Sequence, residues 1–364
     1  MIDLKKFRKD LHQIPELGFE EYKTQTYILN SISKLNCTVQ TVKTGVILYF
    51  DNKADRTIAF RADMDALPIH EKTDLEFESI HVGKMHACGH DGHMAILLGL
   101  AHWLNDNGGK ILDKNIVLVF QPSEERDAGA NSIIDSGILQ RYHVEAIFGL
   151  HLWVGKEKNS IWTRSNELMA SDNGLSVEIT GRSVHVAESE QGVDSLYVAS
   201  HFLVDVYKME SQLPNEVFRL LKFGEMQSGT TSNVISDYTR ISGILRSYDA
   251  SVHQHLKTEL QKIADYYDSN FETTTTITYE ASYDAVINDS ELVAKVKSFI
   301  PTIHELEKPV LQAEDFGLYR KICPSLFFFL GIGDTAPLHN EKFDFDMEVL
   351  EKGLGLFVEI VKNY

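Results

Sequence analysis

The strongest constraint on the fold is an alternation of short apolar segments with helical segments, which is interrupted once along the chain. Apolar segments occur at residues 46–50, 57–60, 116–120 and 144–148. Helical periodicity covers residues 4–35, 94–104 and 129–139. The first of these segments is interrupted at Pro15, and residues 105–109 are expected to end the second. Strands that are continuously apolar belong to a sheet covered by helices. The pattern predicts an α/β domain with a largely buried mixed sheet.

The alternation changes character after about residue 170. Half-exposed strands and helices are predicted in the order strand, helix, strand, strand, helix, strand, at residues 175–180, 193–209, 217–223, 238–245, 251–268 and 273–279. This is the order of a ferredoxin-like α+β unit. The first pattern resumes with 290–300, 326–330 and 346–361. We therefore expect a discontinuous domain, residues 1–172 and 283–364, with an inserted domain at 173–282.

Size and charge limit the partners of the chain. Its 364 residues exceed a usual single domain, and its formal net charge of -18 argues against a general attraction to nucleic acid or anionic lipid. Residues 1–10 lack the apolar core of a signal peptide, and no apolar run approaches the roughly 20 residues that span a bilayer. We expect a cytoplasmic protein that binds neither nucleic acid nor membrane.

The segment His86-Ala-Cys88-Gly-His90-Asp91-Gly-His93 concentrates groups that bind metals. Thiolate and neutral imidazole are strong ligands for divalent transition metals. We expect this segment to form a constrained loop ahead of a helix that begins at Met94. The chain has three cysteines, and this odd number fits a reducing compartment. The other two, Cys37 and Cys323, are expected to be buried structural thiols.

Further polar clusters follow the predicted strands. They are Asp63 and Asp65 after residue 60, Glu124 and Glu125 after residue 120, His151 after residue 148, and His339 after residue 330. In open α/β sheets, functional sites lie beyond the carboxyl ends of the strands. The repeated placement of acids and histidines there predicts a site with several ligands.

Each of these residues has a more ordinary explanation when it is taken alone. A single histidine such as His151 or His339 is more often a hydrogen-bonded, partly buried side chain than a ligand. Glu124 and Glu125 would be two solvated acids, and the two aspartates would be turn or cap residues. The coincidence of so many clusters in one kind of position favours the metal site. A structural zinc site is disfavoured because the chain lacks Cys-x-x-Cys motifs.

The adjacent acids Glu124 and Glu125 indicate a mechanism. At the turn that follows a strand, neighbouring side chains can diverge by a small angle, so one carboxylate can bind metal while the other addresses a water molecule. Metal-assisted hydrolysis needs this division between a Lewis acid and a base. The chain has no glycine-rich phosphate loop of the P-loop form, so nucleotide chemistry has no support.

Together, these motifs resemble the dimetal aminoacylase and carboxypeptidase superfamily. The similar branch contains hippurate hydrolases, auxin-conjugate amidohydrolases and N-acetyldiaminopimelate deacetylases. The resemblance covers nearly the whole chain, through motifs at residues 11–18, 61–68, 85–93, 121–125, 149–151 and 313–316 and at His339. It implies that residues 1–172 and 283–364 form a metal-binding catalytic domain. The inserted domain would be a lid and a candidate surface for homodimerisation.

The resemblance also implies roles for single residues. Two divalent metals, zinc or manganese first and cobalt or nickel as alternatives, would be held by Cys88, His90, Glu125, His151 and His339. Glu124 would be the general base and later the proton donor. Asp63 and Asp65 would orient the ligands and shape the pocket. The other polar members of the metal-binding segment, His86, Asp91 and His93, would have supporting roles.

Three residues of the inserted domain are implied to meet the substrate. His185 would help to stabilise the oxyanion, and Asn233 and Arg246 would contact the substrate or its carboxylate. Taken alone, His185 would be an ordinary surface histidine, and the other two would be turn or salt-bridge residues. Two segments depart from the family pattern, Arg126-Asp127-Ala128 and Glu188-Ser189-Glu190. They add charge beside the expected cleft, which predicts a different substrate and not a loss of hydrolysis.

The activity implied by the resemblance is hydrolysis of the amide bond of N-acyl amino acids, N-acetyl first, by metal-activated water with Glu124 as the base. Two other enzymes remain open at this point: an N-acetyldiaminopimelate deacetylase of lysine biosynthesis, and a dipeptidase or carboxypeptidase. A non-catalytic metal-dependent binding protein is the alternative from another class. It is disfavoured because Glu124 and all the proposed ligands are present.

Overall fold

The chain divides into two compact units in the computed structural model, which describes residues 2–107, 113–280 and 283–364. The first unit comprises Met1–Leu168, Val286–Val310 and Asp315–Tyr364, and the second comprises Met169–Ala285 and Leu311–Glu314. A catalytic role for one unit and a lid role for the other stay predictions. Residue 282, the expected end of the inserted domain, lies outside the described residues.

Within the described part of the first unit, an eight-stranded mixed sheet forms the framework. Numbered in chain order, its strands are β1 (Thr38–Val42), β2 (Gly45–Phe50), β3 (Arg56–Asp63), β4 (Lys114–Gln121), β5 (Val144–Trp153), β6 (Ile161–Thr163), β13 (His304–Glu305) and β14 (Ser325–Gly331). Their order in the sheet is β1-β2-β4-β3-β5-β14-β6-β13. The short strands β7 (Asn166–Met169) and β12 (Val286–Asn288) form a separate pair. The predicted mixed α/β fold is confirmed.

The centre of this sheet is parallel, and it brings several polar side chains to one edge. Strand β3 pairs in parallel with β4 and β5, and β5 pairs in parallel with β14. Asp63, the last residue of β3, lies opposite Gln121, the last residue of β4. Every residue of β4 is buried, as expected for a strand covered on both faces. The carboxyl ends of these strands therefore meet where the polar clusters were expected.

Helices of the first unit cover this sheet. They are α1 (Leu4–His12), α2 (Tyr22–Ile32), α3 (His90–Asn107), α4 (Glu124–Asp127), α5 (Ala130–Asp135), α6 (Ile138–Arg141), α9 (Ser290–Phe299) and α10 (Val349–Asn363), and residues Asp315–Lys321 form a 3₁₀ helix. Helix α3 packs with α1 and α10 and is buried continuously from His90 to Ala101. No helix among the described residues is long and apolar enough to cross a membrane.

The second unit has the strand and helix order that the sequence predicts. Its elements are β8 (Asn173–Thr180), α7 (Ser195–Ser211), β9 (Arg219–Ser228), β10 (Tyr238–Ser247), α8 (Ala250–Phe271) and β11 (Thr274–Tyr279). The described strands form a four-stranded antiparallel sheet in the order β11-β8-β10-β9. Its core includes Val177 and Ile241 from the sheet and Phe202 and Leu260 from the helices. The unit is therefore ferredoxin-like.

Two predicted helices differ from the structure. Helix α3 begins at His90 and not at Met94, because Gly89 adopts a left-handed φ of +88° and the helix starts directly after it. The helix expected at 129–139 is instead two short helices, α5 and α6, which are separated at Gly137 with φ +68°. Glycines 108 and 109, which were expected to end α3, lie outside the described residues.

Candidate metal centre and active site

Two histidines converge on the thiol of Cys88. The Sγ atom lies 3.4 Å from His151 Nε2 and 3.3 Å from His339 Nε2. His151 lies near the end of β5, and its Nδ1–H donates to the carbonyl of Leu152 at 2.6 Å, so Nε2 is the nitrogen that faces the sulfur. His339 comes from a distant loop, where its main-chain N–H donates to the Ala87 carbonyl at 2.8 Å. Main-chain contacts thus bring both rings beside Cys88.

His90 and Glu125 complete the group of predicted ligands. His90 donates from Nδ1 to the Asp65 carbonyl at 2.8 Å, so Nε2 is the nitrogen that faces the other donors. Its Nε2 lies 3.8 Å from Glu125 Oε1, which is also 3.3 Å from His339 Nε2. Both atoms are buried and lack a hydrogen-bond partner among the described residues. Buried polar atoms without partners are costly, and a cation between them would remove that cost.

The donors fall into overlapping groups that suit metal ions. Cys88 forms one group with His90 and His151, and a second with Glu125 and His339. In each group, the donor atoms lie within 4.8 Å of one another. Thiolate, imidazole and carboxylate in sets of three are the donors that zinc and similar divalent ions take in proteins. The structure therefore brings the five predicted ligands into one cluster.

Burial and neighbouring charges set the protonation of these donors. Burial, together with the nearby carboxylates of Glu125 and Glu124, raises the pKa of the Cys88 thiol well above its usual value. Burial and the neighbouring imidazoles lower the pKa of His151, which keeps that ring neutral. Burial alone would lower the pKa of His90, but Asp63 and the other carboxylates outweigh this effect and raise the pKa to about 10. The cluster is thus rich in negative charge that a divalent cation would balance.

The loop that carries Glu124 and Glu125 is held by Asp65. One oxygen of Asp65 accepts the Glu124 N–H and the other accepts the Glu125 N–H, both at 2.9 Å. The preceding residue, Ser123, has a left-handed φ of +54°. At the far end of the loop, Gly129 donates to the Ser123 carbonyl at 2.9 Å, and a Cβ on Gly129 would lie 1.7 Å from the Pro122 carbonyl oxygen. Only glycine fits there.

Glu124 lies within the cluster of donors. Its side chain is buried, and with His90 and Glu125 it forms a further group whose donor atoms lie within 4.8 Å of one another. Its Oε1 accepts the Asp315 N–H at 3.4 Å. A carboxylate in this position can exchange a proton with a water molecule or an amine beside the metal donors. The structure thus brings the predicted base and the predicted ligands together.

Asp63 and His93 support the cluster from behind. His93 donates from Nδ1 to Asp63 Oδ1 at 2.6 Å, and its Nε2 accepts the Leu152 N–H at 2.9 Å. The trio Asp63, His90 and His93 also has the spacing of a metal site. Both nitrogens of His93 are already hydrogen-bonded, however, so the ring ties the end of β5 to β3. This contact orients the strand that carries His151.

A buried network behind the site is absent from the sequence-based residue assignments. Arg61 donates to Asp63 at 2.6 Å, to Asp315 at 2.7 Å and to Gln121 at 2.8 Å. Asp315 also accepts the Ala130 N–H at 2.9 Å, which anchors the loop beyond Glu125. Two features of the sequence point to this network. Arg61, Gln121 and Asp315 lie in the motifs at 61–68, 121–125 and 313–316, and a buried strand seldom contains an arginine.

The remaining polar residues of the metal-binding segment lie outside the donor groups. His86 is buried, both of its ring nitrogens lack hydrogen-bond partners among the described residues, and burial lowers its pKa to about 4. Asp91 accepts from Arg8 Nε at 3.0 Å and lies 2.7 Å from His12 Nδ1. The supporting roles that were expected of both residues stay predictions.

The predicted substrate contacts lie in the second unit. His185 is exposed, and its Nδ1 accepts the Ala187 N–H at 3.2 Å. Asn233 is its neighbour, because the Asn233 carbonyl accepts the Val186 N–H at 3.1 Å. Arg246 is engaged elsewhere in the unit: it donates to Asp172 and to the Leu311 carbonyl, each at 2.7 Å. The roles of these three residues in substrate binding stay predictions.

A pair of adjacent glutamates, one grouped with Cys88 and His339 and the other with His90, suits metal-assisted hydrolysis better than electron transfer or simple metal storage. The fold and the site define a metal-dependent amidohydrolase. Comparison with known families assigns the chain more closely: residues 59–363 match the description "Peptidase family M20/M25/M40", and the chain belongs to this family. The resemblance inferred from the motifs is confirmed.

Individual relatives match over almost the full length. The chain is 32% identical to the N-acetyldiaminopimelate deacetylase of Oceanobacillus iheyensis, and the alignment covers 100% of both chains. It is 28% identical to the Bacillus subtilis YXEP protein, a dinuclear metal-binding peptidase from the M20 family, with a TM-score of 0.85 and coverage of 99% and 96%. A protein from methicillin-resistant Staphylococcus aureus has a TM-score of 0.92, with 27% identity and coverage of 99% and 96%.

Proposed function

We propose that this amidohydrolase removes the acetyl group from N-acetyl amino acids, and that N-acetyldiaminopimelate is the substrate to test first. The observation that carries the proposal is the placement of Glu124, buried among the metal donors on a main chain held by Asp65. The substrate is supported by the full-length similarity to the Oceanobacillus iheyensis deacetylase. Other N-acyl amino acids form the wider class.

The metal content is part of the proposal. Two divalent ions would be held by Cys88, His90, Glu125, His151 and His339, and the buried, unpartnered atoms of His90 and Glu125 support this. When bound, such ions lower the pKa of water and polarise a carbonyl group. Zinc and manganese are the ions proposed first, because a thiolate favours zinc and the cellular supply of metals also decides occupancy; cobalt and nickel are the alternatives.

Proton transfer is assigned to Glu124. Its carboxylate takes a proton from the attacking water and returns it to the nitrogen of the leaving amine, so that the amide bond breaks to acetate and a free amino acid. His185 would donate a hydrogen bond to the developing oxyanion, and Asn233 and Arg246 would contact the amino acid part. Arg246 would then have to exchange a contact that it now makes with Asp172 or Leu311.

The location is proposed from composition, and the assembly from the family resemblance. Three cysteines, none in a disulfide among the described residues, favour a reducing compartment such as the cytoplasm. A homodimer through the second unit is the proposed assembly. Size-exclusion chromatography with light scattering tests it directly.

Glu124→Gln tests the activity. The metal-reconstituted parent should release acetate from N-acetyldiaminopimelate and from simpler N-acetyl amino acids, and the variant should lose turnover by about 10²–10⁴-fold because glutamine cannot accept the proton. Metal content, measured by elemental mass spectrometry, should stay at the parental level. Glu145→Gln is the matched control, since Glu145 is a surface acid that pairs with Arg56.

Two results would overturn the proposal. If Glu124→Gln keeps parental turnover, Glu124 is not the base. If the parent cleaves dipeptides in the same assay and none of the N-acetyl amino acids, the protein is a peptidase and the proposed substrate class is wrong.

A further inference from the structure

The carboxylate of Glu21 lies against the main chain just before Glu124. Glu21 is fully buried, at 0% exposure. One of its oxygens accepts the Ser123 N–H at 2.9 Å, and the other accepts the Thr44 hydroxyl at 2.5 Å. It forms no ion pair in the part of the chain that the structure describes. Burying a carboxylate without a neighbouring cation lowers the free energy of unfolding. The two hydrogen bonds of Glu21 therefore come with a cost in stability.

The residue that donates this hydrogen bond to Glu21, Ser123, has a strained main-chain conformation. Ser123 is left-handed, with φ +54° and ψ +51°, a conformation that serine adopts reluctantly. Gly18 packs on the same residue, since a Cβ on Gly18 would lie 2.3 Å from Ser123 Oγ. Together with Asp65, Glu21 receives three consecutive main-chain N–H groups, those of residues 123, 124 and 125. Two acidic side chains therefore direct the main chain into the catalytic pair.

The Glu21 side chain does not cap the helix that follows it. It is the residue that precedes α2, but its side chain makes no capping hydrogen bond to that helix. Glu16 does this instead, because its Oε2 accepts the N–H groups of Lys23 and Thr24, both at 2.9 Å. The chain thus has two buried carboxylates close together, one that caps α2 and one that faces the loop of Glu124.

We propose that Glu21 is a positioning residue for the amidohydrolase reaction, which acts by holding Ser123 in its left-handed conformation. The φ and ψ angles of Ser123 set the direction in which the chain enters Glu124, so they set where the carboxylates of Glu124 and Glu125 point. A displacement of about 1 Å of a catalytic group can cost 10²-fold in rate. The catalytic consequence rests on the proposed function, but the hold on Ser123 does not.

Hydrogen exchange tests the hold on Ser123 without any assay of activity. In the full-length, metal-loaded protein, Glu21→Ala should speed amide exchange in peptides that cover residues 123–125 by at least about tenfold, because the Ser123 N–H loses its acceptor. Glu16→Ala, the matched loss of a buried carboxylate, should speed exchange at residues 22–26 and leave 123–125 unchanged. Glu21→Gln should restore protection, since its amide oxygen can accept the same N–H.

Kinetics test the catalytic consequence. We expect Glu21→Ala to lower kcat by about 10- to 100-fold, with KM within about twofold and metal content unchanged. Glu21→Gln should recover kcat to within about threefold of the parent, and Glu16→Ala should stay near the parent. Should Glu21→Ala not fold, Glu21→Asp takes its place, because the shorter side chain withdraws the acceptor and keeps the carboxyl group.

The outcomes separate this proposal from the proposed function. Unchanged exchange at 123–125 in Glu21→Ala, or equal losses of kcat in the Glu21 and Glu16 variants, would overturn the positioning role. A parent that cleaves no N-acetyl amino acid would overturn the proposed function alone, since the exchange measurement would still decide whether Glu21 holds Ser123.

Discussion

Asp65 holds Glu124 through the main chain. The Asp65 Oδ1 atom accepts the Glu124 N–H at 2.9 Å, while the second oxygen takes the next N–H along the chain. These two contacts position the main chain of the proposed base and use none of its side-chain atoms.

Asp65→Asn should weaken both hydrogen bonds at once, because the amide presents an NH₂ group to one of the two N–H donors. We expect turnover to fall by about 10- to 100-fold and the free energy of unfolding to fall by about 1–3 kcal/mol. Steady-state kinetics and urea titration measure the two effects. Glu145→Gln is the surface control for both. Parental kinetics in Asp65→Asn would contradict this account of the loop.

Cys88 belongs to both of the principal donor groups, so its loss should disturb both proposed ions. We expect Cys88→Ser to reduce bound metal from about two ions per chain to less than one after dialysis, because a hydroxyl is a far weaker ligand than a thiolate. Elemental analysis of the dialysed protein measures this. Cys37→Ser, which changes a half-buried thiol outside the donor groups, should keep parental metal content. Equal metal content in the two variants would show that Cys88 binds no ion.

The stability of the first unit should depend on the protonation of His12. Burial disfavours the charged ring, but hydrogen bonds with Asp91 and Glu71 outweigh it and raise the pKa from 6.5 to about 9. Because the folded pKa is the higher one, protonated His12 stabilises the folded state fully below about pH 6.5, and this stabilisation is lost as the pH rises through about 9. The contribution is on the order of 3 kcal/mol.

His12→Gln should therefore be less stable than the parent at pH 6, and the difference in the free energy of unfolding should shrink by pH 9.5. Urea titrations across this range measure the difference. His255→Gln, at an exposed position on α8, is the control and should follow the parent throughout. Parallel curves for His12→Gln and the parent would contradict the raised pKa.

Much of the fold could be predicted because apolar periodicity reports burial. Strands β4 and β14 are buried along their whole lengths, and continuous apolar runs, at 116–120 and 326–330, form their centres. The start of α3 could not be read in the same way, because its first turn contains His90 and Asp91, which carry no apolar signal. A polar first turn that is fully buried looks like a loop in a sequence.

The candidate site also contains some residues that the sequence predicts and others that it does not. Side chains with strong metal chemistry, such as Cys88 and His90, stand out by their type. Asp65 and Glu21 act on main-chain N–H groups, and the direction of an N–H group depends on the conformation of Ser123, which no residue type reveals. Arg61 stands out as an arginine in an apolar strand, but its partners Gln121 and Asp315 are distant in the chain, and only the folded unit shows that the three residues meet.

The anchored loop after β4 has a consequence for how this enzyme could change. The main-chain N–H groups of residues 123, 124, 125 and 130 donate hydrogen bonds to acidic side chains from three other parts of the chain. Arg126 and Asp127, which lie between these hydrogen bonds, are exposed and belong to one of the two segments that we expect to depart from the family pattern. Mutation can alter the Arg126 side chain while these hydrogen bonds still hold the carboxylates of Glu124 and Glu125 in place, so evolution can change the substrate without changing the proposed reaction centre.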